Sequence, residues 1–299
     1  MSFSLVVVTW NCADALATLV RSLNEHLADA APELVVVDNA SSDDPFAAAR
    51  EWRGPLELVG LDENRGFGAA SNEGVRRASG EAVVLLNPDT WVLDGSLADL
   101  AAAALERRAL AGPRVLDPDG TVQPSASGPA VGTWPWLRAF LPAALSPAVV
   151  VARTEPWRLE RETQVAWLTA SCLAGPRDLL LGLGPFDESI HLYAEDLELG
   201  LRAGRAGVAS WFLPRTARVV HVGDVSSSQR YDDRGLVAGA VNARGVLVRA
   251  YGERAAGRAF LADRVRLSLR VAAKRLLGRP AGRDAAALRA LSGAAREPS

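Results

Sequence analysis

Cysteines and long apolar runs are both scarce in this chain, and each scarcity removes a class of explanation. Its two cysteines, Cys12 and Cys172, lie far apart and in no metal-ligand spacing. That excludes a disulfide scaffold or a zinc ribbon and points to reduced thiols in a cytoplasmic protein. Long apolar runs are missing too. A membrane span needs about 18 uninterrupted apolar residues, and the best attempt, Phe140 to Ala152, is short and broken by Pro142 and Pro147. The N-terminus enters an apolar strand at once, without the basic region of a secretory leader. Net charge is only −2, which argues against a general nucleic-acid binder. What the chain does have is 299 residues, 49% of them hydrophobic, enough for one large α/β domain with a helical appendage.

The first ninety residues alternate regularly. Ser4 to Val8, Leu34 to Val37, Leu56 to Leu61 and Ala82 to Leu86 are short continuous apolar runs, the pattern of strands buried on both faces. Between them lie helical patterns, the clearest placing Leu16, Leu19, Val20, Leu23 and Leu27 on one face. Strand–helix alternation of this kind predicts a Rossmann-like, mostly parallel sheet with helices on both faces. Ligands of such sheets bind beyond the carboxyl ends of the strands. The polar clusters Thr9 to Asn11, Asp38 to Ser42 and Asn87 to Asp89 all follow strand ends, so they are expected to converge on one edge. The second half is less regular. Asp117-Pro118-Asp119-Gly120 signals a hairpin turn, Pro124 to Arg161 has no clear period, and Trp167 to Gly175 resumes as a strand. A short helix follows from Pro176 to Leu181 and a longer one from Ala194 to Arg205, then strands at Val208 to Leu213 and Arg218 to Val222. From Gly235 to about Leu277 the pattern is helical. The expected division is one domain over 1–230, split near 116/117 into two halves, and a basic helical extension over 231–299.

Five groups of residues have chemistry to offer, and each has a plainer alternative. Asp38 at a strand end suits the imide N–H of uracil or thymine, with Trp10 covering the base; it equally suits an Asx turn capping the next helix. Asn64-Arg65-Gly66-Phe67-Gly68 lets backbone approach a phosphate at a helix start, with Arg65 on the diphosphate, or is a strand–helix turn. Asp89 in Asn87-Pro88-Asp89 is placed to hold a divalent cation on a diphosphate, or closes a type I turn. Glu195 and Asp196 offer a general base, or complement the positive end of a helix. His221 completes a metal site as neutral imidazole, or decorates a strand end.

Taken in order, Val6 to Asn11, Val36 to Asp43, Asn64 to Gly68 with Asn72 and Gly74, and Leu85 to Asp89 resemble the family 2 glycosyltransferases, in particular their rhamnosyltransferase-like branch. Gly184 to Glu188, Tyr193 with Glu195-Asp196, Leu201-Arg202, and Pro214 followed by His221 extend the resemblance to about residue 225. It implies a GT-A fold and an inverting, metal-dependent transfer of a sugar from a nucleotide diphosphate to a hydroxyl. By position it implies that Thr9, Trp10, Asn11, Asp38, Asn39, Asn64, Arg65, Gly66 and Asn87 bind the nucleotide. Asp89 and His221 would hold Mg²⁺ or Mn²⁺, Asp196 would be the base with Glu195 orienting the acceptor, and Trp167, Ser171, His191 and Tyr193 would line the acceptor cleft. The chain departs from the family in having Trp10 for the usual Tyr, Ile190-His191 for an aromatic pair, and Glu198 for Asp.

The implied donor is dTDP-L-rhamnose, with a UDP-sugar such as UDP-galactofuranose as the alternative. The implied acceptor is a saccharide, a lipid-linked intermediate or a small natural product. From Arg254 to Arg283 nine basic residues face one acid, Asp263, with apolar partners at Phe260, Leu261, Val265, Leu269, Leu276 and Leu277. Such a basic amphipathic segment, helped by Trp134 and Trp136, either lies on an anionic inner membrane surface or packs on the catalytic domain. A nucleotidyltransferase would place a basic Gly-rich loop where Thr9-Trp10-Asn11 stands. A silent sugar-nucleotide binder would not require Asp89, Asp196 and His221 together.

Overall fold

The computed structural model describes residues 1–141, 145–223 and 233–294. Four strands, β1 (Phe3–Thr9), β2 (Glu33–Asp38), β3 (Leu56–Gly60) and β4 (Ala82–Leu86), alternate with α1 (Ala13–His26), α2 (Pro45–Ala49) and α3 (Phe67–Arg77). They pair in parallel in the order β3-β2-β1-β4. Then come β5 (Thr90–Val92), α4 (Leu97–Arg107), β6 (Leu110–Gly112), β7 (Arg114–Leu116), β8 (Ala126–Ser127), α5 (Trp134–Phe140), α6 (Ala148–Thr154), β9 (Thr163–Val165) and β10 (Trp167–Leu168). The chain continues through β11 (Cys172–Pro176), α7 (Arg177–Leu183), α8 (Glu195–Arg205), β12 (Ser210–Phe212) and β13 (Arg218–His221). It ends with α9 (Asp233–Tyr251), α10 (Glu253–Leu276) and α11 (Gly282–Ala294).

The large sheet runs β3-β2-β1-β4-β11-β6-β12-β9, and β11 is antiparallel to both its neighbours. Alternation along the strands divides the core in two. Leu5, Val7, Leu34, Val36, Val84 and Leu86 meet α1 and α4 on one face, through Leu16, Leu19, Leu23, Leu97 and Leu100. Val6, Val8, Val35, Val37, Val83 and Leu85 meet α3, α7 and α8 on the other, through Val75, Leu180 and Leu199. At Gly74 on α3 a Cβ would stand 2.3 Å from Val6 Cγ1, so the helix seats against β1 only with glycine there. A small second sheet, β5-β13-β7, lies beyond β4 in sequence.

The parallel core follows the sequence reading closely. The hairpin turn is present too: Gly120 has φ 83°, its N–H donates to Asp117 O (2.9 Å), and Leu116 bridges Val122. Two elements differ from expectation. The strand expected over Trp167 to Gly175 is two strands separated by Thr169–Ser171, whose backbone is used elsewhere, as described below. The helix expected over Gly235 to Leu277 breaks at Gly252, where φ is 82° and the N–H closes on Val248 O (2.8 Å).

The chain forms two compact units, Met1–Ala126 with Trp157–Gln229, and Ser127–Pro156 with Arg230–Ser299. Residues 127–156 thus group with the C-terminal helices, whereas the sequence reading kept them in the second half of the 1–230 domain. The boundary drawn at 230/231, like Pro142, falls outside the described residues. Within the second unit α9, α10 and α11 pack on one another and α5 packs on α10, with Asp284 tying Lys274 (2.8 Å) and Arg270 (3.2 Å) across α10 and α11. Among the described residues no helix is long and apolar enough to cross a membrane.

Candidate active site

The carboxyl ends of β1, β2 and β4 bring their loops together, as the alternation requires. Residues expected to touch the nucleotide divide into two kinds. One kind holds loops. Thr9 is fully buried with its hydroxyl 3.1 Å from Cys12 Sγ, so it presents backbone to the edge: its carbonyl takes the Asn39 N–H (2.9 Å). Asn11, at φ 52°, accepts from the Ser42 N–H (2.7 Å) and hydroxyl (2.9 Å). Asn39 donates to Asn64 Oδ1 (3.1 Å) and accepts the Arg65 N–H (2.9 Å), while Asn64 also takes the Gly66 N–H (3.0 Å). These amides stitch the β2 and β3 loops, because short polar side chains satisfy loop backbone that no strand pairs.

The others are Trp10, Asp38, Arg65 and Gly66. Trp10 is half-buried. Asp38 is half-buried and spends one carboxylate oxygen on the Ser41 N–H (3.1 Å), the Asx-type contact that was its plainer alternative. Its other oxygen accepts from no described residue. Arg65 pairs with Glu188 (3.3 Å), so a diphosphate would have to compete for it. Gly66 has φ 85°, and a Cβ there would sit 2.3 Å from the His191 carbonyl oxygen, which itself accepts the Phe67 N–H (3.1 Å). The His191 side chain is exposed beside that contact.

At the end of β4, Asn87 turns the chain: its carbonyl accepts from the Thr90 N–H (3.2 Å) and hydroxyl (2.7 Å). The turn leaves Asp89 only 6% exposed, with Oδ1 3.3 Å from His221 Nε2. Asn87 Nδ2 lies 3.1 Å from the same nitrogen. His221 is brought there by β13, whose next residue, Val222, donates to the Asp89 carbonyl (3.0 Å). A carboxylate oxygen and an imidazole nitrogen at this separation fit one hard-to-borderline cation with bonds of about 2.0–2.6 Å. Among the described residues no group of three or more His, Cys, Asp or Glu could hold a metal, so two protein donors would leave the remaining positions to diphosphate and water, the usual habit of Mg²⁺.

The acid pair is positioned by unusual backbone. Tyr193 (φ 66°) and Ala194 (φ 73°) are successive non-glycine residues in the left-handed region, immediately before α8. Such conformations cost about 1–3 kcal/mol each and gather at functional sites. They aim the first turn of α8 inward. Glu195 is 7% exposed, and its Oε2 has no hydrogen-bond partner among the described residues. Asp196 accepts the Leu197 N–H (2.7 Å). Farther along the helix, Gly200 lets α8 sit directly on Trp167, where a Cβ would stand 2.3 Å from the Trp167 Cβ. Arg202 clasps Glu198 (2.8 Å) and the Pro185 carbonyl (3.2 Å).

The Thr169–Ser171 break between β10 and β11 gives its Thr169 N–H to the Ser125 carbonyl (3.0 Å) and its Ser171 carbonyl to the Asn87 N–H (3.0 Å). Asn87 Nδ2 reaches His221, and His221 reaches Asp89. α8, which opens with Glu195 and Asp196, packs on β10, so the acid pair and Asp89 belong to one unit. Ser171 Oγ lies 3.0 Å from Thr169 Oγ1 in the same segment. Sequence reasoning missed Gln123, whose residue type carries no mark of its partner.

Burial raises both carboxyls above the usual range, Glu195 with added repulsion from Asp196; backbone N–H groups, that of Leu197 first, pull the Asp196 carboxyl back down. Raised values in the fold mean that folded protein holds these protons more tightly than unfolded chain. Their contribution to stability is thus present below the ordinary carboxylate range and is lost as pH rises through the raised values. Glu195→Gln is expected to flatten the fall in melting temperature between about pH 5 and pH 8 relative to the parent. Thermal melts of both proteins across that range check it; parallel profiles would contradict it.

Residues 4–150 match the family model for glycosyl transferase family 2. Over 244 residues the chain is 31% identical to an N-acetylglucosaminyl-diphospho-decaprenol L-rhamnosyltransferase of Mycobacterium tuberculosis, covering 72% of this chain and 74% of the relative. It is 30% identical over 236 residues to the O-antigen biosynthesis protein RfbC of Myxococcus xanthus, covering 77% of this chain but 18% of that protein. Among solved structures it is similar to a mannosyltransferase of Pyrobaculum calidifontis in complex with GDP-Man and Mn²⁺, with TM-score 0.61, 19% identity, and 98% and 85% of the two chains covered. It is also similar to GalNAc-T7 with UDP, GalNAc and Mn²⁺, with TM-score 0.58, 18% identity, and 80% and 48% covered. Those likenesses give the fold, the one expected from the resemblance, and the relationship in sequence gives the family: the chain belongs to glycosyltransferase family 2 and is a glycosyltransferase.

Proposed function

We propose that the protein transfers L-rhamnose from dTDP-L-rhamnose, with inversion, to a hydroxyl of a lipid-linked saccharide. The observation that carries this reading is the relationship to the decaprenol-linked rhamnosyltransferase over 72% of the chain. The placement of Asp38 and Asp89 at the carboxyl ends of β2 and β4, with α8 packed on β10 in the same unit, supports it. Asp38 keeps an oxygen for the imide of the base, and Trp10 offers a face to stack on it. Asp89 and His221 would hold a divalent cation, which when bound would neutralise charge on the diphosphate. Asp196 takes the acceptor hydroxyl proton as that oxygen attacks the anomeric carbon and the bond to the diphosphate breaks. Its backbone donors keep it ionised against burial. Glu195, buried and beside that charge, stays protonated, which leaves one anionic carboxylate at the attacking oxygen. Trp167, Ser171, His191 and Tyr193 border the acceptor side.

A thermal-shift series with dTDP, UDP and GDP, each with Mn²⁺, tests the base. A ligand that binds only folded protein raises the melting temperature by mass action. The largest shift is expected with dTDP. A preference for UDP would move the reading to a UDP-sugar such as UDP-galactofuranose, and a preference for GDP would remove it.

A lipid-linked acceptor places the protein at a bilayer, and α10 offers a surface for that contact. Its exposed stripe carries Arg254, Arg258, Leu261, Arg264, Leu269, Arg275 and Leu276 and no acid. Leu261, Leu269 and Leu276 are 49%, 48% and 88% exposed. The acids of α10 lie off the stripe, Glu253 paired with Arg244 (2.6 Å) and Asp263 with Arg266 (3.0 Å). Arginines near an anionic leaflet contribute about 1 kcal/mol each, and the leucines add apolar insertion. Flotation with phosphatidylglycerol liposomes is expected for the parent and lost in a Leu261→Glu, Leu269→Glu variant, while transfer to a soluble acceptor persists. Unchanged flotation of that variant would reject this surface.

A further inference from the structure

The hairpin that follows β7 does more than turn the chain. Gln123, just beyond it, lies against His221 with both ends of its amide engaged. Its Nε2 donates to Asp117 Oδ1 (2.8 Å) and to the His221 carbonyl (2.7 Å). Both partners are acceptors, so the orientation of this amide is fixed by its surroundings. Its Oε1 is thereby turned to His221 Nδ1 at 3.0 Å. An amide oxygen only accepts, so Nδ1 must carry the hydrogen. In the neutral ring the lone pair then belongs to Nε2, the nitrogen 3.3 Å from Asp89 Oδ1 and 3.1 Å from Asn87 Nδ2. An unsupported imidazole has no such fixed assignment; which nitrogen is free is set by the bond the other makes.

We infer that Gln123, held by Asp117 across the hairpin turn, is the positioning residue that fixes His221 as the Nδ1–H tautomer and turns its Nε2 lone pair toward Asp89. This rests on the reading of Asp89 and His221 as a cation pair, but the tautomer itself does not. The arrangement is the outer support that imidazole ligands need, a partner on the far nitrogen that fixes both ring orientation and proton. It also accounts for Asp117, whose N–H closes the turn on Thr121 O (2.7 Å) while its carboxylate holds the glutamine.

The chain has three histidines, His26, His191 and His221, so the test is tractable in the full-length protein. With ¹⁵N-labelled histidine, long-range ¹H–¹⁵N correlation at about pH 8.5 reads each tautomer directly. His221→Gln assigns the signal by its loss. The parent is expected to show a protonated Nδ1 and a lone-pair Nε2 at His221. Gln123→Leu, which cannot accept, is expected to shift the ring to the Nε2–H form or a mixture. Affinity for Mn²⁺ alone, from the electron paramagnetic resonance of free ion, should fall by about 10–100-fold with it. An Nε2–H ring at His221 in the parent overturns the inference without any variant. So does a Gln123→Leu ring that stays Nδ1–H. A tautomer that switches while Mn²⁺ affinity holds overturns the purpose assigned to it. Sugar transfer enters none of these readings, so a wrong donor or acceptor would leave the result standing.

Discussion

Asp196→Asn is expected to lower turnover by about a thousandfold, within the range of about 10²–10⁴ that a positioned base contributes, and to leave donor affinity near that of the parent. The amide keeps the size of the side chain and can still accept the Leu197 N–H through its oxygen, but it cannot take a proton from the acceptor hydroxyl. A loss confined to turnover is the mark of an interaction made in the transition state. Release of nucleoside diphosphate with and without acceptor measures the first quantity, and calorimetry with dTDP and Mn²⁺ the second. Near-normal turnover would remove Asp196 from the chemistry. Equal losses in turnover and donor affinity would make it a structural residue at the head of α8. The parent's own pH profile bears on the same point. With its carboxyl raised by burial, the acid limb of kcat/KM should lie above the ordinary aspartate range of about pH 4.

Asp89→Ala acts on the other half of the reaction. It takes away the carboxylate 3.3 Å from His221 Nε2, so the Mn²⁺-dependent part of dTDP affinity should fall by about a hundredfold or more. That is at or beyond the top of the range seen when only an outer support of a ligand is lost. In chelator the two proteins should bind dTDP alike, because the base contacts proposed for Trp10 and Asp38 remain. A parent whose dTDP affinity ignores Mn²⁺ would contradict the assignment. The melting temperature must be followed alongside, since Asp89 is nearly buried and its carbonyl also receives the Val222 N–H.

How far the fold was legible depends on how local its causes are. The strands from Phe3 to Leu86 announce themselves because buried parallel strands are continuous apolar runs, and the polar clusters after them fall on one edge by topology alone. Asp38, Asp89 and Asp196 were singled out that way or through the ordered motifs. What stayed hidden is non-local or lies in the backbone. The Thr169–Ser171 interruption is invisible in an apolar stretch, since its backbone pairs with Ser125 and Asn87. Gln123 reads as an ordinary polar residue after a turn until β13 lays His221 against it. That Asn11, Asn39 and Asn64 also lace loops shows only in their hydrogen-bond partners. The grouping of residues 127–156 with the C-terminal helices has no signature in a segment without period.

The central claim, that Asp89 and Asp196 serve one bound donor, is tested most directly by a crystal structure with dTDP-L-rhamnose and Mn²⁺. The expected result is Mn²⁺ bonded to Asp89 and His221 Nε2, the base against Asp38 and Trp10, and the anomeric carbon open to Asp196 on the side away from the diphosphate. A separate cavity of about 460 Å³ is lined by Arg114, Arg215 and Arg218, at the opposite end of β13 from His221. Diphosphate bound among those arginines, with Asp89 and Asp196 untouched, would contradict the account.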